Sequence, residues 1–232
     1  MPDPKQPVSV ASSVDSFLAQ ARRVSPPAVA GRGRLVFALD ATMSRQPTWD
    51  LAQSLQGQMF EAAARHGGLD VQLVYYRGLA ECRASPFVSQ GRGLAAFMSR
   101  VDCRSGHTQI EKVLRHVRTE AGGIRIGAFV FVGDAVEERD DALFAIAGEL
   151  GLLGVKGFLF QEGDNAAPGR VFRELARLTG GAHAMFDASA PERLASLLSA
   201  AAAYASGGRA ALERHALEDG NAAARMLLTQ MR

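Results

Sequence analysis

Leu35-Val-Phe-Ala-Leu39-Asp40-Ala-Thr42-Met-Ser44 is the stretch on which the fold turns. Five apolar residues in a row, with no polar alternation, suit a strand buried on both faces, the habit of parallel sheets covered by helices. The run stops at an acid, and two hydroxyls follow at alternate positions. Pro47 sits where the first turn of a helix tolerates it, and Trp49 to Arg65 continues with helical spacing through Leu51, Leu55 and Met59. Strand, loop and helix in that order open an α/β unit.

The same alternation continues downstream. Asp70 to Tyr76 reads as a second strand, and Leu79 to Arg83 as a third whose mixed polarity suits an antiparallel edge. Leu94 to Val101 and Thr108 to Glu120 have helical spacing, with Gly91-Arg-Gly93 as the turn into the first. Ile124 to Val132 is the most apolar strand and ends in Gly133-Asp134. Asp141 to Leu150 (helix), Val155 to Phe160 (strand) and Arg170 to Leu178 (helix) follow. Gly180-Gly181 stops that helix before a last strand, Ala182 to Phe186, and a helix from Pro191 to Tyr204. The expected class is α/β, a Rossmann-like open sheet of about six strands. It is mostly parallel with one antiparallel edge strand, and helices cover both faces.

Three regions follow. Residues 1–32 form an N-terminal extension with a short amphipathic helix over Ser12 to Val24, residues 33–206 the domain, and residues 207–232 a helical tail beyond Gly207-Gly208. The tail's apolar set (Leu212, Leu217, Met226, Leu227, Met231) is suited to docking on the core or on another protein.

Composition narrows the function classes. The 232 residues are 47% hydrophobic and 22% charged, enough to bury a core and to exclude a mainly disordered chain. Lys and Arg number 26 against 24 acids, a formal net charge of +2, which argues against a nucleic-acid binder. Lys5, Lys112 and Lys156 are the only lysines; genomic bias accounts for the arginine excess better than selection for bidentate carboxylate or phosphate contacts does. No apolar run approaches the ~20 residues of a membrane span, and the first residues do not read as a secretory signal. A cytoplasmic protein is expected, with Cys82 and Cys103 as reduced thiols and a regulatory disulfide as the lesser alternative. Two cysteines give no zinc framework, and the five histidines have no zinc spacing.

Polar residues converge at predictable places. In an open parallel sheet, ligands sit beyond the carboxyl ends of the strands, where strand order reverses. If the strands ending at Asp40 and Asp134 are central neighbours, their carboxylates meet in one crevice. Thr42 and Ser44 add hydroxyls, and Thr108 lies in the loop opening the helix before the Asp134 strand. Carboxylates plus neutral hydroxyls form a hard, all-oxygen set suited to Mg²⁺ or Mn²⁺. Glu137, Glu138, Asp140 and Asp141 fit the dipole of the next helix's N-terminus. Arg45, Arg77 and Arg104 read either as a rim that recruits an acidic partner or as ordinary solvated arginines.

This pattern resembles the von Willebrand factor type A (VWA) family, in its intracellular bacterial form. The family's metal-ion-dependent adhesion site has an Asp-x-Ser-x-Ser loop after the first strand, a Thr in a second loop and an Asp after the fourth strand. Here Asp40-Ala-Thr42-Met-Ser44, Thr108 in Ser-Gly-His-Thr-Gln-Ile, and Asp134 in Phe-Val-Gly-Asp-Ala stand in that order. The resemblance covers about residues 33–204 and implies a metal held by Asp40, Thr42, Ser44, Thr108 and Asp134. It further implies that the hydroxyls bind directly, the acids act largely through water, and the Thr joins or leaves with conformational state. Thr42 replaces the usual first Ser, His107 stands beside Thr108 where a small residue is common, and Gly133-Asp134-Ala135 replaces the frequent Thr-Asp-Gly.

The function expected is a non-enzymatic adaptor or scaffold module whose Mg²⁺ (or Mn²⁺) holds an acidic side chain of a partner protein. The resemblance implies partners among multiprotein machines such as AAA+ ATPases. One alternative is a Mg²⁺-dependent phosphohydrolase of haloacid dehalogenase type, which would need a second Asp where Thr42 stands and a later lysine, Lys156 being a poor candidate. The other is a metal-independent scaffold with a vestigial site, its five residues kept for capping and loop hydrogen bonds.

Overall fold

β1 (Gly33–Asp40) is the hub of the molecule. In the computed structural model, which describes residues 31–187, 189–218 and 221–231, it lies between two parallel neighbours, β2 (Leu69–Arg77) and β4 (Ala128–Gly133). Beyond β2 runs the antiparallel edge strand β3 (Glu81–Ala84), and beyond β4 lie β5 (Lys156–Glu162) and β6 (Ala182–Phe186), both parallel. The order is β3-β2-β1-β4-β5-β6. The chain leaves β1 towards one side and later returns to build the other, so strand order reverses between β1 and β4. This is the six-stranded, mostly parallel sheet that the apolar runs predict. The helix expected over Ser12–Val24 lies outside the described residues.

Both faces of β1 are buried, which is why its run does not alternate. Leu35, Phe37 and Leu39 pack on α1 (Gln46–Ala64), α2 (Gly91–Met98) and the C-terminal helices; Val36 and Ala38 face α3 (Ile110–Gly123), α4 (Asp140–Leu152) and α5 (Ala166–Thr179). Each fully buried large apolar side chain contributes about 1.5–3 kcal/mol.

Some boundaries differ from those the apolar runs suggest. Ile124 to Gly127 precede β4, although Ile126 is buried. Gly78 takes φ +61°, so residues 78–80 turn and β3 begins only at Glu81. The helix predicted from Thr108 begins at Ile110.

α6 (Pro191–Leu217) is broken at Gly207 and Gly208, where Gly208 has φ +67°. The segment from Arg209 and α7 (Ala222–Gln230) then fold back on the domain. Leu212, Leu227 and Met231 are buried in the same core as β1, whereas Leu217 is 85% exposed. The Gln230 side chain closes the β6 edge as a neighbouring strand would: its Oε1 accepts from the His183 N–H (3.0 Å) and its Nε2 donates to the His183 carbonyl (2.9 Å).

His183 is also buried, its Nε2 3.1 Å from Gln161 Oε1. Burial, with Arg173 nearby, lowers its pKa to about 4. The unfolded chain binds this proton more readily than the fold does, so stability falls as pH drops from about 6.5 towards 4. Urea titrations across that range are expected to show a steeper loss for the native chain than for His183→Gln, by up to about 3 kcal/mol. Parallel curves would exclude His183 as the acid-sensitive group.

Candidate metal centre

Strand register brings the two acids to the same end of the sheet. Leu39 is level with Val132, so Asp40 and Gly133 end β1 and β4 side by side, and Asp134 follows directly. Asp40 is buried; its Oδ1 accepts from the Thr42 N–H at 2.7 Å, the local turn that bends the chain out of β1. A short 3₁₀ turn, Met43–Arg45, then leads into α1. Thr42 stands at the cap of that turn, but its hydroxyl makes no capping bond and lies 3.5 Å from the Ser44 hydroxyl. Capping therefore does not explain the Thr42 hydroxyl.

The Asp40 carboxyl is electrostatically uncomfortable. Burial pushes its pKa above the ordinary carboxylate range, hydrogen bonds from Thr42 pull against that, and the charge of Asp134 adds to the rise. On β2, Tyr76 is buried with its hydroxyl turned to Asp40, a contact that helps hold the Asp40 pKa down, although the two make no well-aligned hydrogen bond. Burial raises its pKa well above the usual value, with Asp40, Glu138 and Asp134 adding to the effect. The Asp40 carboxyl, the charge of Asp134 and the Tyr76 hydroxyl thus share one small space. Hard oxygen donors around excess negative charge fit a divalent cation. Among the described residues no three His, Cys, Asp or Glu side chains group closely enough to hold a metal by themselves, so the fit rests on the hydroxyls.

Thr108 is differently engaged. Its hydroxyl donates to Glu138 Oε2 (2.5 Å) and accepts from the Glu137 N–H (2.9 Å), while its own N–H donates to Glu137 Oε2 (2.8 Å). The structure brings Asp40, Thr42, Ser44 and Asp134 together at the ends of β1 and β4 and ties Thr108 to the Glu137–Glu138 loop. Those two acids also correct the dipole reading: they serve the start of α3, with Glu138 Oε1 accepting from the Glu111 N–H, whereas Asp140 and Asp141 occupy the first turn of α4. In sequence they adjoin α4, and nothing local reveals that they reach across to α3.

The loop carrying Thr108 is strapped to the β2–β3 turn. His107 N–H donates to the Gly78 carbonyl, Gln109 Nε2 to those of Arg77 and Gly78, and Lys112 Nζ to that of Ala80. A Cβ on Gly106 would overlap the Gly78 backbone, so only glycine permits this approach. His107 is exposed and 3.0 Å from Glu137.

The three arginines do not form a common rim. Arg104 is exposed, with its backbone N–H on the Ala41 carbonyl. Arg77 is paired with Glu81 and donates to the Asp102 carbonyl. Arg45 alone turns inward, with Nη2 3.3 Å from Asp134 and Nη1 2.5 Å from Glu162; sequence spacing did not single out Glu162. Cys82 and Cys103 are unpaired. Burial, with Asp40 and Asp50 nearby, raises the Cys103 pKa to about 11, which keeps it a thiol. Among the described lysines, Lys112 is engaged as above and Lys156 is level with Leu35, at the opposite end of the sheet from Asp40.

By sequence, the chain matches no family model and no curated protein. By structure it is similar to several solved proteins. A von Willebrand factor type A protein from Catenulispora acidiphila superposes with a TM-score of 0.58 at 13% identity, over 75% of this chain and 43% of that one. The SpRpn10 VWA domain gives 0.56 at 8% identity, covering 70% of this chain and 95% of the domain. An aerotolerance-related membrane protein from Bacteroides fragilis gives 0.52 at 16% identity, over 69% and 95%. At such identities the shared property is the fold. Among the described residues, no helix is long and apolar enough to cross a membrane.

Proposed function

We propose that this chain, whose fold is that of a von Willebrand factor type A domain, is a protein-interaction module. In this reading Asp40, Thr42, Ser44 and Asp134 hold Mg²⁺ or Mn²⁺, and the ion takes an acidic side chain of the partner. The observation that carries the reading is the buried Asp40 carboxyl, its pKa raised by burial and by Asp134, beside the hydroxyls of Thr42 and Ser44. A divalent ion would supply the missing positive charge and a Lewis-acidic position for a carboxylate. The chain's own residues do the rest: Asp40 shapes the loop through Thr42, the hydroxyls of Thr42 and Ser44 offer oxygen without cancelling the ion's charge, and Thr108, whose hydroxyl is taken by Glu138 and the Glu137 N–H, stays outside the ligand set. The reading is non-enzymatic. Lys156 lies at the wrong end of the sheet for a phosphohydrolase, and Cys103 is held as a thiol. Partners would be acidic surfaces of multiprotein machines, AAA+ ATPases among them, in a cytoplasm that keeps both cysteines reduced.

Isothermal titration with Mg²⁺ and Mn²⁺ tests the site. The native chain is expected to bind one ion, and Asp40→Ala and Asp134→Ala to give no heat of binding. An affinity pull-down with and without EDTA tests the function, with capture of an acidic-surface partner expected to require the ion. Equal metal binding by Asp40→Ala, or chelator-resistant capture that also survives Asp134→Ala, would overturn the proposal.

A further inference from the structure

Arg45 follows the last hydroxyl of the β1 loop, and its side chain is only 13% exposed. Its guanidinium lies between Asp134, a carboxylate of the proposed metal centre, and Glu162 at the end of β5. The two contacts are unequal: 3.3 Å to Asp134 against 2.5 Å to Glu162, which also accepts from the Thr48 hydroxyl. Neither Nε nor Nη1 has an aligned hydrogen-bond partner. The guanidinium is therefore held by charge and lacks the paired, parallel bonds of a bidentate arginine–carboxylate lock. Such a contact breaks more readily than a fork-to-fork pair.

We infer that Arg45 is a tethered cation that competes with the divalent ion for Asp134, and that Glu162 is the acid on which it rests when Asp134 turns to the metal. The inference builds on the metal reading above. A guanidinium beside Asp134 satisfies part of the charge that the ion would otherwise satisfy, so every ion bound must displace it. Glu162 lowers the cost of that displacement by keeping the arginine paired. With this pair, the affinity of the site is set by residues that do not touch the ion.

Opposite effects are expected from the two neutral substitutions. Titration of the full chain with Mn²⁺ should show at least tenfold tighter binding for Arg45→Gln, equivalent to about 1.4 kcal/mol. Glu162→Gln should bind several-fold more weakly, because its arginine is left with Asp134 alone. A distant charge effect would give the same signs, so the double variant decides. If Glu162 acts through Arg45, Glu162→Gln changes nothing in the Arg45→Gln background; if the two charges act separately, their effects add. Circular dichroism confirms that each variant is folded, and Glu162→Gln retains the arginine should Arg45→Gln misfold. Additive effects, or unchanged affinity in Arg45→Gln while the native chain binds, overturn the inference and leave the metal site standing. No binding by the native chain or any folded variant overturns the metal reading and this inference together. Binding by Arg45→Gln alone supports the competition directly.

Discussion

Asp40→Asn is expected to raise the melting temperature of the cation-free protein by a few degrees and to erase stabilisation by Mg²⁺. Both effects have one cause. The native carboxylate is buried beside Asp134, and its pKa is raised above that of an ordinary carboxyl. The fold therefore binds this proton more tightly than the unfolded chain does, and stability is lost as pH rises from about 3.8 through the folded value. At neutral pH the charge is a cost that asparagine removes, while its side-chain oxygen can still accept from the Thr42 N–H. Relief of about 1–2 kcal/mol is expected, which for a chain of this size is a shift of roughly 2–8 °C. The native chain should recover more on adding Mg²⁺, about 2.7 kcal/mol at a hundred times the dissociation constant. Thermal melts in EDTA and in Mg²⁺ measure both. A variant that melts lower in EDTA, or that still gains from Mg²⁺, contradicts the idea that Asp40 is charged for the sake of an ion.

Phe131→Ala should cost about 3–5 kcal/mol of stability. Phe131 is fully buried in β4, stacked on Tyr76 at 6.3 Å and tilted against Phe172 at 5.6 Å. These three rings link β2, β4 and α5 beneath the proposed metal centre, so truncation leaves a cavity that their rigid neighbours cannot close. Phe131→Leu fills much of it and should lose less than half as much. Urea unfolding of the three proteins provides the comparison, and a loss below about 1 kcal/mol for the alanine variant would show that the rings repack. Because the Tyr76 ring loses its backing, Mn²⁺ affinity should also fall in the alanine variant.

The fold was legible because its signals are local. Leu35 to Leu39 is apolar at every position since both faces are covered, and Asp40 marks its end because polarity returns where the strand leaves the sheet. The same reasoning located β4, β5 and β6, and it failed at Ile124 to Gly127, where Ile126 is buried ahead of the start of the strand. The position of the Asp40–Ser44 loop was legible for a related reason. Asp40, Thr42 and Ser44 lie within five residues, and the alternation rule for α/β folds places strand ends of one polarity together.

What surrounds those donors was decided elsewhere. Glu138 reaches Thr108 across thirty residues, Arg45 meets Glu162 across more than a hundred, and Gln230 closes the β6 edge from the far end of the chain. No periodicity encodes such pairs, because each depends on where two independent elements come to rest on the sheet. The tail is the clearest case: its apolar set specifies that Leu212, Leu227 and Met231 will be covered, but not by what. Short-range signals were enough for the sheet, its polarity and the position of Asp40, Thr42 and Ser44 at its carboxyl edge, since burial and turn chemistry act over a few neighbours. The tertiary structure alone decided which charges offset those donors, because ion pairing depends on distance in space and is blind to separation along the chain.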